Sequence, residues 1–164
     1  MKVLIIGDSA SGKSTFALAL SKKLSLPVIH LDEKMDTLGR NDKDSIRKFI
    51  ETEIAKENWV IDGNAFMKDK EARIRAADMI ITFDFNPLVS FFNHIKRYLK
   101  LRTRIEKGRV GSANASLNLR YFIPYIFIKF PKRKREAISL AHSLGKKVVV
   151  FRSRADAIRY LQTL

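Results

Sequence analysis

Short apolar runs alternate along the chain with longer stretches in which apolar positions recur every three or four residues. The runs are "VLII" (3–6), "VIHL" (28–31), "WVI" (59–61), "MIITF" (79–83) and "VVVF" (148–151). Their length and β-branched content predict buried strands. Between them, Phe16, Leu20 and Leu24 recur every four residues on one helical face. Over 42–57, Ile46, Phe49, Ile50 and Ile54 form another such face, with Asn41, Asp42 and Asp44 as acidic or capping residues at its start. Pro87 opens a further helix whose predicted apolar stripe is Leu88, Phe91, Phe92, Ile95 and Leu99. "SLGKK" ends a helix with Gly145 at the C-cap, and "SRAD" (153–156) has capping-box spacing for the last one. Strands alternating with helices predict an α/β fold, a parallel sheet covered on both faces.

The junction between the first strand and the first helix changes the picture from architecture to chemistry. "GDSASGKST" (7–15) fits the phosphate-loop pattern G-x-x-x-x-G-K-[ST] through Gly7, Gly12, Lys13 and Ser14. The strand before it and the helix after it are the context this pattern needs. Glycines at 7 and 12 let the backbone curl, so that the N–H groups of Gly7, Ser9, Ala10, Ser11 and Gly12 converge on an anion. The helix beginning near Lys13 points its positive end at the same place. Lys13 supplies a cation for β- and γ-phosphates, Ser14 a hydroxyl for Mg²⁺, and Thr15 a contact to the α-phosphate. The candidate nucleotide is ATP.

The chain has 164 residues, 46% of them hydrophobic, enough for one domain over 1–164 with a full core. It has no cysteine, which excludes disulfides, thiolate zinc sites and a cysteine nucleophile. His30, His94 and His142 are too scattered in sequence to read as a metal cluster. No apolar run approaches the ~20 residues of a membrane span, and the segment before the loop lacks the form of a signal peptide. A soluble, cytoplasmic protein without membrane contact is expected. The net charge of +15 would attract polyanions, nucleic acid among them, although charge alone does not choose between anions.

Three predicted strands end in aspartate: Asp32 in "HLDE", Asp62 in "VIDGN" and Asp84 in "TFDF". Strand carboxyl ends line the ligand crevice of a parallel sheet. One such aspartate can hold Mg²⁺ through water and another can take the proton of an acceptor hydroxyl; each also fits a helix cap, Asp84 best of the three. Residues 102–120 are basic and irregular, and read as a mobile lid. Arg97, Arg102, Arg104 and Arg109 fit charge stabilisation of a moving phosphoryl group, with Arg97 and Arg102 the catalytic candidates. "YFIPYIFIKFP" (121–131) reads as a buried helix docking the lid base, the alternative being a base-stacking or membrane surface. "DTLG" (36–39) loosely fits a GTPase motif, but no N-K-x-D follows, and "VIHLDE" comes too soon after the loop for a helicase or motor. A compact phosphotransferase remains, with a nucleic-acid-associated NTP-binding protein as the alternative.

Taken together, "GDSASGKST", "LPVIHLDEK", "NWVIDGN", "ADMIITFDFN", "FPKRKREAI" and "GKKVVVFRSRADAIRYL" resemble the bacterial topology modulation proteins. These are small P-loop proteins similar to adenylate and shikimate kinases, and the resemblance runs over nearly the whole length. It implies a three-layer P-loop NTPase fold, a five-stranded parallel sheet in the order 2-3-1-4-5, and a helical lid. It further implies that Asp62 serves Mg²⁺ through water, that Asp32 faces the phosphoryl acceptor, and that Gly63 and Asn64 line the acceptor pocket. Arg152, Ser153 and Arg154 would border the adenine. The acceptor would be a nucleoside, a nucleotide or another small hydroxyl compound. The lid departs from the family pattern: "GSANASLNLRYFIPY" lacks its tryptophan and acidic positions, and the only tryptophan is Trp59. "DFN" likewise replaces "DFP". The resemblance therefore carries the nucleotide half of the site further than the acceptor half.

Overall fold

The computed structural model describes residues 1–8, 10–39, 42–64, 70–106 and 119–164. Five strands form one parallel sheet in the order β2-β3-β1-β4-β5. They are β1 (Lys2–Gly7), β2 (Val28–His30), β3 (Trp59–Asp62), β4 (Met79–Phe83) and β5 (Lys147–Phe151). The fold is the three-layer P-loop arrangement, with the strand order the sequence resemblance implies. β1 is central, with Leu4 beside Ile61 on one side and Ile80 on the other. Its Val3, Leu4, Ile5 and Ile6 are all buried, as expected of a strand covered on both faces.

Alternation along β1 sorts its residues between two cores. Leu4 and Ile6 pack with Trp59, Ile61 and Ile80 against α3 (Lys43–Ala55), α4 (Lys70–Ala76) and α7 (Phe130–Ser143). Val3 and Ile5 face Phe16 and Leu20 of α1 (Lys13–Leu24) and Ala157 of α8 (Arg154–Thr163). Each fully buried Leu, Ile or Phe contributes roughly 1.5–3 kcal/mol relative to exposure. Local signals act as expected at helix ends. Asp42 caps α3, its side chain accepting from the Ser45 N–H at 3.0 Å. Gly145 takes φ 64° after α7, and the Lys146 N–H reaches back to the Ala141 carbonyl at 2.9 Å. Ser153 and Asp156 form a reciprocal capping box at α8. Replacing Ser153→Ala is expected to cost about 1 kcal/mol, read as a lower urea midpoint at unchanged m-value.

Three expectations are corrected. β2 stops at His30, and Leu31 opens α2 (Leu31–Leu38), so Asp32 lies in the first turn of a helix rather than at a strand end. Leu31 and Met35, one turn apart, are both buried and fix that helix. The apolar stripe of α5 (Pro87–Glu106) turns outward in part: Leu88, Phe92 and Leu99 are exposed, whereas Phe91 and Ile95 are half-buried. Apolar residues lie all round this helix, so periodicity did not choose the face; the Phe91 ring turns to Phe127, centroids 6.1 Å apart. The segment 121–131 is not one buried helix either. α6 (Leu119–Pro124) gives way at Pro124 to a π-helical turn (Tyr125–Lys129), which leads directly into α7. Ile126 and Phe130 are buried there, while Ile123, Phe127 and Ile128 face outward.

Most of the predicted lid lies outside the described residues. Within it, 102–106 form the last turns of α5, which places Arg102 and Arg104 on a helix, and 119–120 open α6. Arg109 is outside the described residues. No helix among the described residues is long and apolar enough to cross a membrane.

Candidate functional site

The carboxyl ends of the strands converge on the phosphate loop, which is tied to the body by contacts distant in sequence. Gly7 takes φ 146°, and a Cβ there would sit 2.5 Å from the Phe83 carbonyl oxygen, so β1 and β4 approach in a way only glycine permits. Asn64, just beyond β3, grips both backbone groups of Gly7. Its Oδ1 accepts from the Gly7 N–H at 3.2 Å, and its Nδ2 donates to the Gly7 carbonyl at 2.5 Å. Next along the loop, Asp8 donates its N–H to the Phe83 carbonyl at 3.2 Å and accepts from the Phe85 N–H at 2.8 Å. From α8, Arg154 donates to the carbonyls of Ala10 and Ser11, at 3.0 and 3.4 Å. Gly12, at φ 98°, then turns the chain into α1. Ser9 lies outside the described residues.

Lys13 stands at the N-terminus of α1, buried, and its Nζ donates to the Asp8 carbonyl at 2.7 Å. Burial pushes this amine below the usual lysine range. The negative fields of Asp62, Asp32 and Asp8 act against that shift, and the positive field of Arg97 adds to it. Lys13 therefore sits within the fields of both candidate aspartates and of the first candidate arginine. Arg97 also acts on His94, which burial first and then Arg97 bring down to about 4, so that His94 is neutral at pH 7. Ser14 and Thr15, the next residues of α1, are exposed.

The two aspartates differ in surroundings. Asp62 is 3% exposed at the end of β3; its Oδ2 lies 3.2 Å from His30 Nδ1, while its Oδ1 is buried without a partner among the described residues. Such an oxygen is costly unless a donor arrives to satisfy it. Mg²⁺ fits this donor set, since it keeps several waters and is held by one or two carboxylates together with phosphate oxygens. Ser14 and Asp62 would hold it, Asp62 through a water. Asp32 is exposed and faces Gly63 closely, a Cβ on Gly63 falling 3.4 Å from the Asp32 carboxyl carbon. It thus borders open space at the Lys13 end of the sheet. Asp84, by contrast, pairs with Lys134 of α7 at 2.5 Å.

A cavity of about 310 Å³ adjoins the loop between α1 and α8, lined by Gly12, Thr15, Phe16, Arg154, Ala157 and Ile158 among others. It combines an apolar wall with the loop's start of helix, and it suits a nucleotide base. Of the three residues expected to border adenine, Arg154 lines this cavity. The Ser153 hydroxyl is engaged in the α8 cap and the Arg152 N–H donates to Asp156 at 3.0 Å. A larger hollow of about 400 Å³ lies at the outer edge of β2, between His30, Lys34, Phe49 and Glu53. It has no phosphate-binding backbone, and the smaller cavity is the one placed to serve the loop.

Sequence reasoning missed Lys134, which lies 5% exposed under the loop. Its Nζ is 3.3 and 3.4 Å from the Asp8 oxygens and also reaches Asp84. In "FPKRKREAI" it is one lysine in a basic run, and only its position one turn after buried Phe130 and three before buried Ala137 could have singled it out.

No protein-family model and no curated protein sequence matches the chain. Solved structures do. Shikimate kinase from Aquifex aeolicus superposes with a TM-score of 0.60 at 18% identity, over 99% of this chain and 93% of that one. Shikimate kinase from Bacteroides thetaiotaomicron gives 0.59 at 19% identity, over 99% and 95%. A chain of the PezAT chromosomal toxin–antitoxin system of Streptococcus pneumoniae gives 0.50 at 15% identity, over 93% of this chain and 67% of that one. At these identities the likeness is one of fold: a P-loop domain of the kind shikimate kinase has, over essentially the whole chain.

Proposed function

We propose that the chain is an ATP- and Mg²⁺-dependent phosphotransferase that moves the γ-phosphate to the hydroxyl of a small acceptor, of the nucleoside, nucleotide or simple hydroxy-compound class. The observation that carries this reading is the pair of unlike carboxylates around Lys13. Asp62 is buried with one oxygen unsatisfied among the described residues, and Asp32 is exposed in the first turn of α2. The second is placed to take a proton from an acceptor hydroxyl. The shikimate-kinase-like fold and the resemblance to the topology modulation proteins support the same reading.

In this scheme the backbone N–H groups around Gly12 and the Lys13 ammonium hold the β- and γ-phosphates. The acceptor oxygen attacks the γ-phosphorus while the bond to the β–γ bridging oxygen breaks, and ADP leaves with that oxygen. The acceptor proton passes to Asp32, with Gly63 shaping the wall beside it. Mg²⁺, when bound, neutralises charge on the β- and γ-phosphates. Arg97 and Arg102 balance the charge spread over the moving group. The base lies in the cavity beside Arg154.

The test is a panel of nucleosides, nucleotides and hydroxy acids, with ADP release measured with and without each. An acceptor that raises turnover identifies the substrate class, and Asp32→Asn is then expected to lower kcat about 10²-fold or more with ATP affinity retained. A flat response across the panel, or full turnover by Asp32→Asn, would overturn the proposal. The charge of +15 supports a second reading, an ATPase acting with nucleic acid. That reading requires ATP hydrolysis stimulated by DNA at physiological salt, whereas a kinase shows only weak, salt-sensitive binding.

A further inference from the structure

His30 is used by no step above, yet among the described residues it is the one side chain seen to hold Asp62. We propose that His30 is a positioning residue, fixing the Asp62 carboxylate so that Oδ1 is presented to the water shell of a nucleotide-bound divalent cation. The proposal rests on the phosphotransferase reading for its ligand and on geometry for its residue.

His30 and Asp62 are paired in register across β2 and β3. In a parallel sheet such partners are neighbours on the same face. The Nδ1–Oδ2 separation is 3.2 Å, and the side chains are 23% and 4% exposed. An ionised carboxylate only accepts, so the proton of this bond is on Nδ1. His30 is also the N-cap residue of α2, with extended backbone (φ −88°, ψ 92°), but its side chain makes no capping hydrogen bond. Its imidazole is therefore committed to Asp62 and not to the helix.

The consequence lies in what the second oxygen can do. A carboxylate with neither oxygen held can rotate and offer either one, or turn to the Lys13 ammonium whose field it shares. An Asp62–Lys13 pair would draw the cation away from phosphate. With Oδ2 held by His30, Oδ1 is left buried and, among the described residues, unpartnered, so it is the oxygen left for the cation's water shell. Groups that orient a metal's ligand in this way typically affect metal affinity 10–100-fold.

The experiment measures ADP affinity by calorimetry with and without Mg²⁺, and needs neither acceptor nor turnover. The readout is the factor by which Mg²⁺ tightens ADP. In His30→Phe, which keeps a ring and loses the donor, this factor is expected to fall about tenfold while metal-free ADP affinity stays the same. His30→Asn places an Nδ2–H near the lost Nδ1–H and is expected to restore most of it. Should His30→Phe fail to fold, His30→Leu is measured against the same outcomes. An unchanged Mg²⁺ factor in the donor-free variant overturns the proposal, and so does an equal loss of affinity with and without metal, which would mean a purely structural role. If Mg²⁺ does not tighten ADP in the wild type, the metal assignment itself fails, and this proposal with it. If wild-type MgADP binding is normal and His30→Phe matches it, the proposal fails alone.

Discussion

Lys13→Met is expected to weaken ATP binding about 10–100-fold and, once an acceptor is in hand, to lower kcat by a further 10²–10³. It is not expected to lower the melting temperature. The first two effects follow from position: the ammonium is buried at the start of α1, where a charge-assisted hydrogen bond to phosphate meets little competition from water. Binding tests the ground-state contact, and kcat tests the share gained as charge shifts onto the leaving oxygen. The third effect follows from the direction of the titration. Burial lowers the Lys13 value, and the surrounding aspartates only partly offset it. The folded chain thus holds this proton less tightly than the unfolded one. The charged amine subtracts stability below its lowered value, and that stability is regained as pH rises towards 10.5, the ordinary lysine value. Methionine preserves the length of the stem and removes the charge. Calorimetry with ATP and a thermal melt on one sample decide the matter; ATP affinity within twofold of wild type would remove Lys13 from the phosphate site.

The fold was legible because its two periodicities are undisturbed. Runs such as 79–83 could only be strands buried on both faces, and Phe16 with Leu20 could only be the inner face of a helix. Where reading along the chain went astray, the deciding contact was remote. β2 ends one residue early because Leu31 belongs with Met35 in α2, a choice made by the core beneath rather than by strand propensity. On α5 the apolar residues surround the helix, so the face it presents was set by the position of Phe127, some thirty-five residues on.

The site divides in the same way. The phosphate loop is contiguous in sequence and could be read directly, down to Gly7, Gly12 and Lys13. Asp62 and Asp32 were recognisable as acids near strand ends, but not their states: His30 lies across a sheet register that sequence does not display. Asn64 was expected beside the acceptor. Its amide meets Gly7, where it holds the loop's first residue, a task visible only once β3 is placed next to β1. The loop's grip from Lys134 and Arg154 likewise comes from helices more than a hundred residues away.

Lys134 is where that remote support is most exposed to mutation, and Lys134→Met is expected to destabilise the fold by about 3–5 kcal/mol at pH 7. Its Nζ lies 3.3 Å from Asp8 with both side chains buried, 6% and 7% exposed, and its second partner Asp84 is 42% exposed. Water can replace the ammonium at Asp84, so little is lost there. No charge replaces it at Asp8 among the described residues, because the Phe85 N–H that bonds it and the Ser90 side chain beside it are neutral. Burial already raises the Asp8 value and Lys134 is the leading influence opposing it. Removing the lysine therefore raises it further. A carboxyl raised in the folded state contributes stability below its unfolded value, 3.8, and loses it as pH climbs through the folded one. The variant should then recover stability on acidification from neutral pH towards about 4, where the wild type gains less. For a chain of this length the deficit at pH 7 amounts to roughly 10 °C in melting temperature. The double variant Asp8→Asn with Lys134→Met removes the uncompensated charge while keeping the amide as acceptor for the Phe85 N–H. It should regain at least half of the loss, because what Lys134 supplies is neutralisation more than net attraction. A single variant as stable as the wild type at pH 7, or a double variant no better than the single, would show that Asp8 is solvated after all. Lys134 would then add little to the anchoring of the phosphate loop.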